Sequence, residues 1–472
     1  MRIKDYNSNE TIAAIATAPV ASALGVIKIS GAQALRIVSQ VFRPKRAKDI
    51  RKAKTYTLHY GWIVKPQRTP RGVGNTQTII DEVLLALMRK PHSYTGEDVV
   101  EISSHGGQVA LNAILEVLLA AGCRVALPGE FTYRALRSGR VDLLQAESIL
   151  DIVNARNQAG LVCAGRQLRG QASTRLAHFK EALRDVFAQT EAALSFPEDH
   201  VSIKGAVLEG QVRKLAREAR RLLVESDCGR VFQDGIRCVI CGKTNAGKST
   251  LFNCLMREER VIVSRIPGTT RDVIEETINI RGVPLRICDT AGILEPRDLL
   301  DRKAIEKTSR AFEEADLVIV VLDTTRTLSR DDYIILDKLR LRPQKKAILV
   351  ANKSDVGRRL SLDRKFKTLG TPVAVSALRN TGIGQLEKAI VRAVYQGIAQ
   401  HRDSIFLNQF QRKILRGIRD TLDTLRSAGA GNSLDFVNFS LRECLDDIGK
   451  ICGEVFSEDV LESIFSKFCI GK

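Results

Sequence analysis

Apolar residues follow two kinds of pattern along this chain, and the switch between them marks its segments. Residues 1–141 contain both. Gly25-Val-Ile-Lys-Ile-Ser-Gly31 alternates with period two, and Thr55–Val64 and Asp81–Met88 read as further strands. Gln108 to Leu119 carries an amphipathic helical repeat that Gly122 ends. From residue 142 to about 229 the period becomes helical, with Leu143, Leu144, Ile149, Ile152 and Val153 spaced three to four apart. Phe196-Pro197 interrupts that run and Gly210 to Val224 resumes it. Between 235 and 396, short apolar runs such as Cys238–Cys241 and Ala347–Ala351 alternate with helical stretches, as in a parallel sheet covered on both faces. After Ile405 the pattern is helical again to the end. The prediction is a multidomain α/β chain. An α+β N-terminal domain spans 1–141, and a helical domain comes in two parts, 142–234 and 397–472. A doubly wound, mostly parallel sheet domain, 235–396, is inserted between them.

Composition adds the compartment and the partner. The chain has 472 residues, 44% hydrophobic and 27% charged, with no apolar run near the length of a membrane span, so no membrane association is expected. Thr11–Ala23 has the composition of a secretory signal, but Asp5 and Glu10 occupy what would be its basic region and Pro19 breaks the apolar part; folded structure is expected there instead. Ten cysteines show no paired framework, consistent with a reducing cytoplasm. Cys238-x-x-Cys241 has redox spacing, yet both lie on a strand and are read as small buried hydrophobes. The terminal Cys469-Ile-Gly-Lys472 does not fit a prenylation box, because Gly471 and Lys472 suit neither its aliphatic nor its last position. The net charge is +19, and it is uneven. Residues 1–141 carry 20 Lys and Arg against 10 Asp and Glu, and residues 235–396 carry 30 against 20. An anionic polymer such as RNA suits such faces. Arg43–Lys54 alone holds seven basic residues and one acid, which reads as a solvated loop or an RNA contact.

Candidate chemistry concentrates in the sheet domain. Gly242-Lys-Thr-Asn-Ala-Gly-Lys-Ser-Thr250 follows an apolar run and fits G-x-x-x-x-G-K-[ST]. Backbone N–H groups around Asn245, Ala246 and Gly247 would cradle phosphates at a helix N-terminus. Lys248 would reach the outer phosphates, Ser249 would hold Mg²⁺, and Thr250 completes the motif. A segment comprising Ser264, Arg265, Ile266, Pro267, Gly268, Thr269 and Thr270 follows, able to bring Thr270 to Mg²⁺ beside a γ-phosphate. Asp289, Thr290, Ala291 and Gly292 form D-T-A-G at the end of another strand, where the aspartate holds the metal's water shell. Asn352, Lys353, Ser354 and Asp355 make N-K-x-D. The Asp355 carboxylate matches the N–H donors of guanine, which adenine lacks. Ser376, Ala377 and Leu378 follow a last strand and would close over the base. These elements in this order predict binding and hydrolysis of GTP. The glutamine that orients water after D-T-A-G in many small GTPases is Ile293 here. Hydrolysis then needs an arginine in trans, or a later carboxylate with an extra cation; Glu295–Arg302 offers several acids.

Outside that domain, Pro91–Glu101, His105-Gly-Gly107, Pro128-Gly-Glu-Phe131, Asp142–Glu147, Phe196-Pro-Glu198 and Phe468-Cys-Ile-Gly-Lys472 carry a resemblance. With them the chain resembles, over nearly its whole length, the tRNA modification GTPase family MnmE, also called TrmE. The resemblance implies a folate-binding N-terminal domain that forms a homodimer, a helical domain and an inserted GTPase domain. It implies a complex with an FAD-dependent partner of the MnmG type. Together these would place an aminomethyl or carboxymethylaminomethyl group on C5 of a wobble uridine in tRNA, the carbon coming from 5-formyl- or methylenetetrahydrofolate. By position, Lys28, Glu101, Arg140 and Lys472 would bind the folate and Cys469 is a candidate for a chemical role. Asn245, Ser264, Ile266 and Thr269 would surround a K⁺ ion that stands in for an arginine finger when two GTPase domains meet.

The chain departs from the family at three places. The P-G-x-G-G loop reads Pro19-Val-Ala-Ser-Ala-Leu-Gly25. An arginine is replaced by Lys28, which keeps charge without bidentate geometry. The catalytic glutamate is Asp301, one methylene shorter, from which slower hydrolysis is expected. A regulatory RNA-binding GTPase of ribosome assembly would equally explain the charge and the missing glutamine. Only the tRNA-modification reading explains the folate-type residues together with the terminal C-I-G-K.

Overall fold

The computed structural model describes residues 6, 9–46, 49–69, 72–155, 158–195, 205–258, 275–281, 283–288, 312, 315–341, 346–357, 359–395, 405–428, 433–454 and 458–472. In chain order the first elements are β1 (Ile12–Ile15), β2 (Ser22–Ser30), α1 (Ala34–Val41), β3 (Phe42–Pro44), β4 (Thr57–Thr69), β5 (Gly72–Met88), β6 (Val99–Gly106), α2 (Gln108–Ala120), β7 (Arg124–Val125) and α3 (Glu130–Arg137). Helices α4 (Leu143–Asn154), α5 (Gln158–Leu168), α6 (Gln171–Ser195) and α7 (Gly205–Asp234) follow. Then come β8 (Ile236–Cys241), α8 (Lys248–Glu258), β9 (Glu275–Ile280), β10 (Val283–Cys288), β11 (Leu317–Asp323), α9 (Arg330–Arg340), β12 (Lys346–Asn352), α10 (Arg364–Lys367), β13 (Val373–Val375) and α11 (Ile383–Tyr395). The chain closes with α12 (Gln409–Ala428), α13 (Leu434–Cys452) and α14 (Glu458–Phe465). The last seven residues leave the helix as turn and coil, where the periodicity predicts helix to the end.

The chain divides into two compact units. The first comprises Met1–Leu150, Leu168–Glu191 and Asn438–Lys472. Its sheet has the order β3-β4-β5-β6-β2-β1-β7, antiparallel except where β1 meets β7. Period-two alternation decides which face is covered. Ile27, Ile29, Val83, Leu85, Leu87 and Ile102 point to one side and bury against α1 and α2. Val26, Lys28, Leu84, Glu101 and Ser103 point to the other. The strand predicted at Thr55–Val64 runs further than its alternation suggested, as β4 pairs with β5 out to Thr69 and Gly72. A second cluster joins Tyr6, Leu143, Leu461, Ile464, Phe465 and Phe468, so α14 packs on the start of α4 and on α3.

The second unit comprises Asp151–Gln167 and Ala192–Val437. Its sheet has the order β13-β12-β11-β8-β10-β9, parallel except for β9 against β10. Cys238–Cys241 of β8 and Leu317–Leu322 of β11 are buried on both faces, which accounts for these unbroken apolar runs. Cys238 and Cys241 sit fully buried there as free thiols, and burial pushes Cys241 up to about 12. α12 lies along α7, with Arg220 to Asp423 at 2.5 Å and Arg412 to Asp227 at 3.0 Å.

A candidate nucleotide site and a cluster at the chain terminus

β8 ends at Cys241 and delivers a loop with three residues at positive φ: Gly242 at +154°, Asn245 at +64° and Gly247 at +92°. A Cβ on Gly242 would lie 2.3 Å from the Val321 carbonyl oxygen, and one on Gly247 would lie 2.2 Å from Asn352 Nδ2. The two motif glycines are therefore required by close approach of neighbouring strands as well as by φ. The loop runs into α8, which opens with Lys248, Ser249 and Thr250. The first N–H groups of a helix have no partner within it, so this end faces an anion favourably. Lys248 Nζ donates to the carbonyls of Gly242 and Lys243, both at 2.9 Å, which holds the ammonium inside the loop.

β12 carries Asn352 to the same place. Asn352 is buried, and its Nδ2 donates to the Ala246 carbonyl at 2.8 Å. Its Oδ1 accepts from the Ala377 N–H at 3.0 Å. The next residue, Lys353 (φ +64°), reaches Asp323 Oδ2 at 2.7 Å. Burial works to raise the Asp323 carboxyl, but hydrogen bonds from Lys353 and Thr325 outweigh it and hold the group below its ordinary value. Thr324 bonds the Asn352 and Lys353 carbonyls at 2.9 and 2.8 Å. Beyond the Ser354 turn, Asp355 is held below the usual carboxylate range by the Ser376 hydroxyl and by Arg379, 3.3 Å away. Cys254 Sγ donates to the Ala377 carbonyl at 2.8 Å, and Leu378 stands exposed beside it. The phosphate loop, N-K-x-D and the 376–378 turn are thus brought together. Asp323, Thr324 and Arg379 belong to this site although no motif singled them out. The strand-ending position of Asp323, matching that of Asn352, was the available signal.

Ser264, Arg265, Ile266, Pro267, Gly268, Thr269, Thr270, Asp289, Thr290, Ala291, Gly292 and Asp301 lie outside the described residues. Of the predicted cation ligands, Ser249 is exposed in the first turn of α8 and Asn245 is exposed in the loop. Both fit hard-cation coordination through side-chain oxygen.

In the first unit, Lys28 on β2 and Glu101 on β6 are register partners, 3.5 Å apart and each about one-third exposed. Lys28 also lies 6.0 Å from the centre of the Tyr94 ring. Burial raises the Tyr94 phenol, against its hydrogen bond to Thr132 and the nearby charge of Arg140. Arg140 itself is exposed just beyond α3. The last residues return to the same sheet. Gly471 has φ +95°, and a Cβ there would lie 2.9 Å from Ala16 Cα and from the Ile15 carbonyl oxygen. β1 pairs with β2 so that Ala14 faces Lys28. Lys472 is half-buried at the end of this segment, while Cys469 is exposed and its carbonyl accepts from Gly129 N–H at 3.5 Å. Lys28, Glu101, Tyr94 and Arg140 form one neighbourhood, with the terminus packed on the adjoining strand. The charged pair Lys28–Glu101 and the Tyr94 phenol supply hydrogen-bonding groups at this end of the sheet.

Residues 143–469 match the family model described as the MnmE helical domain, and residues 11–140 match that of the GTP-binding protein TrmE N-terminus. The chain is 38% identical over 470 residues to the tRNA modification GTPase MnmE of Thermoanaerobacter pseudethanolicus, covering 98% of this chain and 99% of the relative. It is 37% identical over 469 residues to the protein of the same name from Clostridioides difficile, with the same coverage. Among solved structures, Aquifex aeolicus Era bound to GDP and AlF4⁻ is 26% identical, covering 39% of this chain and 65% of that one. The TM-score is 0.28.

Proposed function

The chain belongs to the MnmE (TrmE) family of tRNA modification GTPases, and from that premise we propose that, with an FAD-dependent partner, it places an aminomethyl or carboxymethylaminomethyl group on C5 of wobble uridines in tRNA. The observation that carries this reading is the return of the chain terminus to β1, beside the strand whose Lys28 pairs with Glu101.

Each residue has a role in this reading. Gly242 to Gly247 wrap the phosphates, Lys248 exchanges its loop carbonyls for phosphate oxygens, and Asp355 accepts from guanine. Mg²⁺, held through Ser249 and Thr270, would neutralise phosphate charge, and K⁺ near Asn245, Ser264, Ile266 and Thr269 would add to it. Asp301 orients the attacking water. In the first unit Glu101 and Lys28 fix the pterin of a tetrahydrofolate, whose one-carbon group supplies the transferred carbon. Arg140 and Lys472 bound the same site, with Cys469 nearby. We further infer a homodimer and the domain division 1–141, 142–234, 235–396 and 397–472. Among the described residues no helix is long and apolar enough to cross a membrane, and we place the protein in the cytoplasm.

Nucleoside analysis of bulk tRNA from a strain lacking this gene tests the reading. Loss of the C5-substituted wobble uridines is expected, and an unchanged profile would end it.

A further inference from the structure

A ligand that joins the phosphate loop to N-K-x-D has to cross the end of one further strand. The loop leaves β8, N-K-x-D ends β12, and β11 lies between them in the sheet. Neighbouring strands stand about 4.8 Å apart, so the two ends of the site are about 10 Å apart across β11. Gly242 already lies against Val321 of that strand. Asp323 ends it as the register partner of Asn352, and Thr324 and Thr325 follow. None of the three belongs to a phosphate- or base-binding motif.

These residues clamp Lys353. Its backbone holds φ +64°, a left-handed conformation that is rare for a residue with a side chain. Thr324 fixes it there. The Thr324 N–H donates to the Asn352 carbonyl at 3.0 Å, and Thr324 Oγ1 donates to the Asn352 and Lys353 carbonyls at 2.9 and 2.8 Å. Lys353 Nζ donates to Asp323 Oδ2 at 2.7 Å, while Asp323 Oδ1 accepts from Thr325 N–H at 2.9 Å and from Thr325 Oγ1 at 2.7 Å. The carboxylate is thus oriented through both oxygens. Its side chain is 11% exposed, against 33% for Lys353. Arg326 Nε stands 3.8 Å from the same Oδ2 but is 59% exposed, which makes it the weaker partner. Without Asp323 the ammonium, on a flexible four-carbon stem, would be drawn toward the phosphates that Lys248 serves. With it, the stem runs from the end of β12 to the end of β11 and offers apolar surface between the two ends of the site.

We propose that Asp323 is a positioning residue for the guanine nucleotide: it holds the Lys353 ammonium at the end of β11, keeps the lysine stem against the nucleoside and leaves the phosphates to Lys248. The proposal rests on the assignment of GTP to this site and adds to it a residue that acts through Lys353. Because the stem meets a face of the base, Asp323 governs how tightly the nucleotide is held and not which purine is chosen. That choice stays with Asp355, which meets the N–H edge.

The full chain is titrated by calorimetry with GDP and with IDP, whose base lacks the 2-amino group, and GTP hydrolysis is followed to saturation. Asp323→Asn keeps an oxygen for Thr325 but loses the charge that holds the ammonium. Lys353 then regains its rotamer freedom, and affinity is expected to fall about three- to thirtyfold. GDP and IDP fall by the same factor, KM for GTP rises and kcat is unchanged. Asp323→Glu, which keeps the charge, binds GDP more tightly than Asp323→Asn. Lys353→Met keeps the stem without the charge, so adding Asp323→Asn to it changes affinity by less than about twofold. Wild-type affinity in Asp323→Asn overturns the proposal. So does an equal loss with and without the lysine, because Asp323 would then act by another route. A larger fall for GDP than for IDP also overturns it, since the N-K-x-D turn and Asp355 would have moved. Tight GDP binding by the wild type with silent variants leaves GTP assigned to this site, whereas no GDP binding by the wild type removes that assignment as well.

Discussion

The Asn352 side chain and the Ala246 carbonyl are joined at 2.8 Å, although one ends a strand and the other lies within the phosphate loop. The same amide accepts from Ala377 N–H, so one buried side chain sets the spacing between the phosphate and base ends of the site. Asn352→Ala removes both bonds and leaves a buried carbonyl and N–H unanswered, at about 1–3 kcal/mol each. GTP affinity is expected to fall by about tenfold or more, with a lower Tm. Calorimetry with a non-hydrolysable GTP analogue and thermal unfolding check this, and unchanged affinity would remove Asn352 from that role.

Gly471 offers a test of the terminus that leaves the nucleotide site alone. Gly471→Ala puts a methyl 2.9 Å from β1 and forces an alanine to φ +95°, a strain of about 1–3 kcal/mol. Displacement of the last residues should weaken 5-formyltetrahydrofolate binding about five- to a hundredfold while GTP hydrolysis is unchanged. Folate calorimetry reads the outcome, and equal affinity would separate the terminus from the folate site.

His105 makes a pH prediction. Its Nδ1 lies 2.7 Å from Asp81 Oδ1, and its backbone N–H donates to the other oxygen at 2.9 Å. The Asp81 hydrogen bond raises the imidazole above its ordinary 6.5. The ion pair therefore adds stability that is complete below 6.5 and is lost as pH rises through the higher folded value. An NMR titration of the ring proton should show the raised midpoint in the wild type and a return toward 6.5 in Asp81→Asn. Identical midpoints would dissolve the pair.

For hydrolysis, Asp301→Ala is expected to abolish turnover while leaving GTP binding intact. Single-turnover assays beside nucleotide titrations decide it, and normal turnover would clear Asp301.

Cation assistance at Asn245 predicts faster GTP hydrolysis in KCl than in NaCl at equal ionic strength. Equal rates would count against a K⁺ site.

Much of the nucleotide site was legible in the sequence because local backbone geometry dictates it. Gly242, Gly247 and Lys248 must recur at fixed spacing wherever a strand turns through such a loop into a helix, and N-K-x-D must end a strand. Period-two alternation likewise disclosed β2 and the side of the sheet that Lys28 occupies. What it could not disclose is register. Whether Lys28 meets Glu101 depends on how β2 slides against β6, and the buried set Ile27, Ile29, Val100 and Ile102 decides that collectively.

Tertiary structure alone also set Arg379 on Asp355 and Lys353 on Asp323, contacts between surface-type residues whose spacing has no local rule. It alone brought Gly471 onto β1, through Phe465 and Phe468 packing against Tyr6 and Leu143. The sequence by itself determined which elements form and which chemistry each carries, because hydrophobic period and backbone conformation are short-range properties. Which of those chemistries become neighbours was decided by the burial of apolar surface from distant parts of the chain, which no local window contains.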